Sequence, residues 1–278
     1  MTEQRRSNDI DLEGYFRRIG YAGSRDPNLD TLRAIVERHT ASIAFENLSP
    51  LIGQPVRLDL ASIQHKLVES GRGGYCFEHN LLLRGVLLAL GFVVTGLAAR
   101  VRWNVPAERV TARGHMLLLV DLAGQPYIAD AGFGGLTLTA PLALVPDIAQ
   151  PTPHEPFRLL EDGAGYMLQA CIGEDWQDVY RFDLQAQEPI DYEAASWYLS
   201  THPDSHFVSG LVAARPAPGR RIGLRNTQLS IHHRGGASER RELSSVTELR
   251  AALQDLFGLA LPDTPDLDRA LGRILGQG

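Results

Sequence analysis

Cys76 stands in the run RGGYCFEHN, at the junction between a glycine-rich turn and an apolar stretch, FEHNLLLRGVLLAL, whose periodicity predicts a helix. A thiol at a helix N-terminus faces unpaired backbone N–H groups and the positive end of the helix dipole. Both favour thiolate over thiol and turn a sulfur into a nucleophile. Without partners, a half-buried cysteine is a small hydrophobe, so the reading depends on what accompanies it. A thiol nucleophile needs a base beside it and a third group to orient that base. The segments RGHMLLLV and YIADAGFG supply His115 and Asp130. Both segments are strand-like, and DLAGQP between them reads as a turn, which predicts a hairpin with His115 and Asp130 as neighbours across it. The order Cys, His, Asp is that of a thiol acyl-transfer triad.

These residues need elements to position them. Up to about residue 91 the apolar pattern is helical: Ile10, Leu12, Tyr15, Phe16 and Ile19 mark one stripe, Leu32, Ile35, Val36 and His39 a second, Ile63, Leu67 and Val68 a third. From Phe92 to about Asp183 the pattern changes to short strands, FVVTGLAARVRW, HMLLLVDL, YIADAGF, YMLQACI and DVYRFDL, separated by Gly, Pro and Asp. That predicts an antiparallel barrel or curved sheet. A helix is expected in DYEAASWYLS, strands near LVAAR, RIGLR and TQLSIHH, and amphipathic helices around VTELRAALQDLF and DLDRALGRIL. Leu81 to Ala99 is apolar, yet Arg84, Gly91, Thr95 and Gly96 interrupt it, so it reads as a buried helix followed by a core strand, not a membrane span. The fold class is therefore α+β, divided at 1–91, 92–190 and 191–278.

The chain resembles the arylamine N-acetyltransferases, the bacterial ones in particular. The resemblance runs through DLEGYFRRIG, IAFENL, RGGYCFEHN, RGHMLLLV, YIADAGFGG and STHPDSHF, most of the chain. It implies an N-terminal helical bundle bearing the cysteine, a central antiparallel β-barrel bearing histidine and aspartate, and a C-terminal α/β lid, with Cys76, His115 and Asp130 as a cysteine-protease-like catalytic triad. It further implies acetyl-CoA as acyl donor, an aromatic amine, hydrazine or hydroxylamine as acceptor, ping-pong transfer through an acetyl-cysteine, and a place in xenobiotic metabolism. Gly132, Phe133 and Gly134 of GFGG are carried over as residues at the entrance where coenzyme A and amine meet. Phe45, Val101, Trp103 and Phe207 are carried over as lining of the acceptor or coenzyme pocket, and Glu46 and Arg72 as a pair bracing the cysteine loop. Three positions depart from the family pattern: Ala44 where proline usually precedes FEN, Gly114 where threonine commonly precedes the histidine, and Ala131 where valine often follows the aspartate.

The remaining composition excludes classes without choosing a reaction. A chain of 278 residues with net charge −6 can bury a substantial core and lacks the cationic excess that nucleic acid or anionic membrane demands. Two cysteines, Cys76 and Cys171, make no disulfide scaffold and suit a reducing compartment. The opening MTEQRRSNDIDLEG has no apolar leader segment, so a cytoplasmic protein is expected. His202 and His206 are four apart, but Pro203 and the lack of a further ligand pattern argue against a metal. No phosphate-binding glycine motif occurs; GFGG is too short for a dinucleotide fingerprint. His79, three positions past Cys76, is expected behind the cysteine or exposed at a domain face. A thiol hydrolase with the same triad, a macrolactam-forming amide synthase of the same family and a non-catalytic binding protein are the alternatives, and a homodimer is compatible with each.

Overall fold

The computed structural model describes residues 10–276; the opening stretch Met1–Asp9, part of the segment read as lacking an apolar leader, lies outside the described residues. Helix α1, Leu12–Ile19, starts where the Asp11 carboxylate accepts the Gly14 N–H and stops at Gly20, whose φ of 63° suits glycine. Helix α2, Leu29–Ser42, is capped by Asn28. Together they present the first two apolar stripes to a shared core with Tyr15, Leu32, Ile35 and Val36 fully buried. Helix α3 is the single turn Leu48–Leu51, and α4, Leu60–Gln64, runs on into a π-helical turn, His65–Glu69. Helix α5, Cys76–Ala89, is buried along most of its length, polar Glu78, His79 and Asn80 included, and lies in the same core, with Phe77, Leu82, Leu83, Val86 and Leu87 at full burial.

A seven-stranded antiparallel sheet follows: β2 (Val93–Val101), β3 (His115–Leu122), β4 (Gln125–Ala129), β5 (Leu142–Ala143), β6 (Phe157–Asp162), β7 (Gly165–Ile172) and β8 (Asp175–Phe182), in the spatial order β5-β4-β3-β2-β8-β7-β6. Isolated bridges from Pro146 to Leu159 and from Gln150 to Phe157 return the chain to β6 and nearly close a barrel. Strand β3 is buried on both faces. Met116, Leu118 and Val120 join the helical core while Leu117 faces the barrel interior with Leu97, Phe157 and Leu168. This double burial explains why HMLLLV is a continuous apolar run and not an alternating one. Helix α6, Glu193–Thr201, and the turn α7, His206–Ser209, lead to a second sheet built from β1 (Phe45–Glu46), β9 (Val212–Ala217), β10 (Arg220–Arg225), β11 (Gln228–His233) and β12 (Ser238–Glu242), in the order β1-β9-β10-β11-β12. Its edge strand β1, Phe45–Glu46, comes from the N-terminal third and pairs with β9 through Phe45–Ala214. The chain ends in helix α8, Val246–Ala251, a π-helical turn, Ala252–Leu256, and helix α9, Pro265–Ile274.

The expected elements are present with three differences. Strand β4 stops at Ala129, so Asp130 lies just beyond it and not inside it. The helix read as continuous over VTELRAALQDLF changes to π geometry from Ala252. Strands β1, β5, β6 and β12 escaped the pattern reading, β1 and β5 because each has two residues and β12 because SERRE is exposed throughout and charged at four of its five positions, the composition that blunts a sheet edge. Among the described residues no helix is long and apolar enough to cross a membrane.

Asn47 ties the two ends of the chain together. Its amide donates to the carbonyls of Phe207 (2.7 Å) and Gly210 (2.6 Å), and its oxygen accepts the Val212 N–H at 2.7 Å. Asn47→Ala strands one buried donor and two acceptors, so unfolding should lose about 2–4 kcal/mol, read as a lower urea midpoint with unchanged slope. A midpoint equal to wild type would show that these bonds do not hold the C-terminal sheet to the helical core.

Candidate active site

The sequence places a cysteine at a helix start, and the fold does so too: Cys76 is the first residue of α5, with Tyr75 as its N-cap. The turn before it is held by Glu78, which accepts the Tyr75 N–H at 3.1 Å and the Lys66 ammonium at 2.7 Å. Arg72 donates to Glu46 at 3.0 and 2.7 Å, the expected brace behind the cysteine loop. Burial works against the Glu46 charge, but Arg72 and Lys66 bring its pKa below the usual range. Glu78 is raised, chiefly by burial, with Lys66 opposing.

Opposite the thiol, the β3–β4 hairpin pairs Leu118 with Ala129, so Asp130, one step beyond the last pair, falls opposite Leu117. His115 is two residues along on the same face, the diagonal neighbour. The His115 Nε2–H donates to Asp130 Oδ2 at 2.7 Å with both groups buried. Asp130 Oδ1 accepts from Asn80 Nδ2 at 2.9 Å and from the Gly132 N–H at 2.8 Å, and its backbone carbonyl accepts the Thr137 hydroxyl. Desolvation raises the Asp130 pKa, but His115 and these donors outweigh it and hold the carboxyl low. Desolvation likewise lowers that of His115, but the Asp130 charge and hydrogen bond and the neighbouring Cys76 sulfur push it up to about 10. With Nε2 engaged by Asp130, Nδ1 is the ring nitrogen left for Cys76. The Cys76 Sγ lies 3.7 Å from the Gly114 carbonyl oxygen.

Asn80 was not singled out from the sequence, yet it joins all three parts. One turn past Cys76, it bonds Met116 O on β3 (2.7 Å), Asp130, and the Ala131 N–H through its own oxygen (3.0 Å). Its presence in RGGYCFEHN at i+4 from the cysteine was the available signal. Tyr180, also missed, packs its ring 5.0 Å from that of His115, and burial together with the Asp130 charge raises its hydroxyl pKa well above the ordinary value.

The residues carried over as pocket lining fall into two groups. Phe133 meets the His115 ring edge-on at 5.2 Å, and a Cβ on Gly134 (φ 84°) would touch the Phe45 ring at 3.3 Å. Phe45 is 6.0 Å from Phe207, which in turn packs on Tyr75 at 5.8 Å. A Cβ on Gly132 would come within 2.7 Å of Cys76 Cα, so glycine there lets the GFGG turn reach the cysteine. Val101 pairs in register with Tyr180, and Trp103 is half-buried against the barrel core. His202 stacks on the Tyr198 ring at 4.5 Å and accepts the Asp204 N–H on Nδ1 at 3.2 Å, and among the described residues no group of three His, Cys, Asp or Glu side chains is placed to hold a metal ion.

His79 corrects the expectation of a possible exposed position: it is fully buried. Its Nε2 is 3.2 Å from the Ala44 carbonyl, which can only accept, so Nε2 carries the hydrogen. Neutral Nδ1 of His79 then accepts from His39 Nε2–H (2.9 Å), and His39 Nδ1 accepts from the Tyr15 hydroxyl (2.8 Å). Burial lowers the His79 pKa to about 4, and burial, His79 and Arg18 lower that of His39 well below 6.5. The chain Tyr15–His39–His79–Ala44 fixes the backbone just ahead of Phe45, which lies parallel to the His79 ring at 6.5 Å.

A family model described as N-acetyltransferase matches residues 28–265. The chain is 43% identical over 258 residues to the arylamine N-acetyltransferase of Mycobacterium tuberculosis, a match covering 91% of each protein. It is 43% identical over 253 residues to that of Escherichia coli, covering 91% of this chain and 90% of the other. The solved structure of Mycobacterium marinum arylamine N-acetyltransferase in complex with CoA superposes with a TM-score of 0.92 at 43% identity, over 95% of this chain and 99% of that one.

The histidine relay predicts an acid-side loss of stability. A histidine at 6.5 when unfolded and about 4 when folded makes the unfolded state bind more protons between those values, so stability falls as pH drops through that window, by roughly 3 kcal/mol for His79. Urea unfolding between pH 6.5 and 5 should show this slope in wild type and a smaller one in His79→Gln. Equal slopes would mean that His79 is not held neutral by the fold.

Proposed function

The chain belongs to the arylamine N-acetyltransferase family, and from that membership we propose that it moves an acetyl group from acetyl-CoA to the nitrogen of an aromatic amine, hydrazine or hydroxylamine through a Cys76 thioester. The observation that carries this reading is the buried 2.7 Å contact of His115 with Asp130 beside a cysteine at a helix start. An imidazole held protonated next to a sulfur stabilises the thiolate as an ion pair. In the first half-reaction the Cys76 sulfur attacks the thioester carbonyl, the tetrahedral adduct collapses, the bond to the coenzyme A sulfur breaks, and His115 gives its proton to that leaving sulfur. In the second, the amine nitrogen attacks the acetyl-cysteine, neutral His115 takes the proton from nitrogen, and Cys76 departs as thiolate. Asp130 orients the ring and stabilises its charge in both halves. Kinetics are ping-pong. The Cys76 N–H at the helix start is the proposed donor to the developing oxyanion.

The choice of transferase over hydrolase rests on the aromatic rings of Phe45, Phe133 and Phe207. These rings cover the thioester from water and stack on an aryl acceptor, with Val101 and Trp103 flanking the approach. The relative from Mycobacterium marinum, solved in complex with CoA, supports coenzyme A thioester as the donor.

The test follows the acetyl group. With acetyl-CoA alone, the peptide containing Cys76 should gain one acetyl mass; with saturating aryl amine, most acetyl groups should end on nitrogen. Cys76→Ala should lose both signals, Cys171→Ala should keep both, and Asp130→Asn should slow transfer about a thousandfold or more while the fold persists. Delivery of most acetyl groups to water at saturating amine would make the protein a thiol hydrolase.

A further inference from the structure

A cavity of about 470 Å3 lies where the loop at 54–57, the π-helical turn with Lys66, the start of the cysteine segment and the stretch 260–262 meet, and Cys76, His115 and Asp130 take no part in its wall. The two ends of the chain are tied there, since the Ala260 N–H donates to the Gly71 carbonyl at 3.1 Å. The volume is that of a small-molecule site. Its polar wall holds donors in excess of acceptors. Arg72 is 8% exposed and gives Nε and Nη2 to Glu46, yet its Nη1 makes no hydrogen bond among the described residues. That nitrogen is not one of the enclosed orphan atoms, which are Arg84 Nε, the Tyr180 hydroxyl and Arg215 Nε, so it faces open space, and the open space that Arg72 lines is this cavity. The Lys66 ammonium makes one bond, to Glu78 Oε1 at 2.7 Å, which leaves two of its three donors. Arg57 is exposed on the same wall and forms no hydrogen bond or ion pair among the described residues. Glu78 brings a carboxylate to the wall, but both of its oxygens are engaged, by Lys66 and by the Tyr75 N–H. Half-buried Val56 and Leu261 supply an apolar side.

We propose that this cavity binds a small organic carboxylate, one negative charge on an apolar body, at a site separate from that of acyl transfer. A carboxylate has the acceptors that the wall lacks: it can take Arg72 Nη1 and the spare Lys66 donors in charge-assisted bonds. A guanidinium nitrogen that is nine-tenths enclosed and unpaired gains more from such a partner than a surface one does. One charge suits the wall, because Glu46 already answers Arg72 and Glu78 already answers Lys66, and Arg57 remains. The apolar body rests on Val56 and Leu261, which inorganic anions cannot use. The ligand would also touch the two cations that neutralise the carboxylates bracing the cysteine turn, so the site lies directly behind the segment that presents Cys76.

The probe is cyclohexanecarboxylate. Its position is read by NMR from the labelled methyl groups of Val56 and Leu261 for the cavity, and of Val101 and Leu199 for the acetyl-transfer side. In wild type at neutral pH and low, fixed salt, the Val56 and Leu261 signals should shift and saturate. Cyclohexanecarboxamide, the same shape without the charge, should bind at least about tenfold more weakly, the loss of a charge-assisted hydrogen bond. Inorganic phosphate, charge without an apolar body, should also bind more weakly. Arg57→Gln should weaken the carboxylate a few-fold, and Ser70→Trp, which fills the cavity from its exposed rim, should abolish the shifts. An amide or phosphate that binds as tightly as the carboxylate overturns the site, and so do shifts that never saturate, shifts confined to Val101 and Leu199, or unchanged binding in either variant. The acetyl-transfer reading is judged separately: Arg57→Gln and Ser70→Trp should acetylate Cys76 as wild type does, and a wild type that fails to acetylate would overturn that reading without moving the methyl shifts.

Discussion

A carboxylate buried without solvent is tolerated only when its charge and its lone pairs are all answered, and Asp130 is where this protein meets that condition. One oxygen takes His115, the other takes Asn80 and the Gly132 N–H. Removing His115 leaves an uncompensated charge in a low-dielectric interior, and removing either neutral donor leaves a lone pair unanswered, so the helix, the hairpin and the glycine turn are coupled through one group. The same contact raises His115, whose contribution to stability is complete below its ordinary value of 6.5 and is lost as pH rises through about 10. The group proposed to orient His115 is in this way also a clamp between layers.

The rest of the architecture serves that clamp. Strand β3 can carry a polar His115 at its end because Met116, Leu117, Leu118 and Val120 are buried on its two faces and fix its register. Helix α5 can start at Cys76 because Glu78 closes the N-terminal turn and Lys66 neutralises it. Gly132 permits the close approach of turn to helix, and the Tyr15–His39–His79 relay secures the segment bearing Phe45. The C-terminal sheet is anchored to the same region through Asn47 and β1, so Phe207 is held beside Phe45 by bonds from the far end of the sequence.

Much of this was legible because the informative residues lie at element junctions. Glycines before Cys76 and after Asp130, and an apolar run after each of Cys76 and His115, mark a helix start and a hairpin from periodicity alone. What the sequence hid were contacts set by register and by long-range packing. Asp130 reaches His115 from beyond the end of β4, by a diagonal that needs the Leu118–Ala129 pairing. The histidine relay joins residues 40 positions apart, and His79 looked as much like a surface histidine as a buried one. Strand β12 is exposed throughout and charged at four of its five positions, and β1 has two residues, so neither carries a period to read.

The central claim is that the buried Asp130 keeps His115 charged beside Cys76. The direct test is an NMR titration of the His115 ring in protein with labelled histidine. The account predicts a doubly protonated imidazole throughout the neutral range, losing its proton near pH 10 in wild type, with a large downward shift in Asp130→Asn. A His115 ring that is already neutral at pH 7, titrating near 6.5 with or without Asp130, would contradict it.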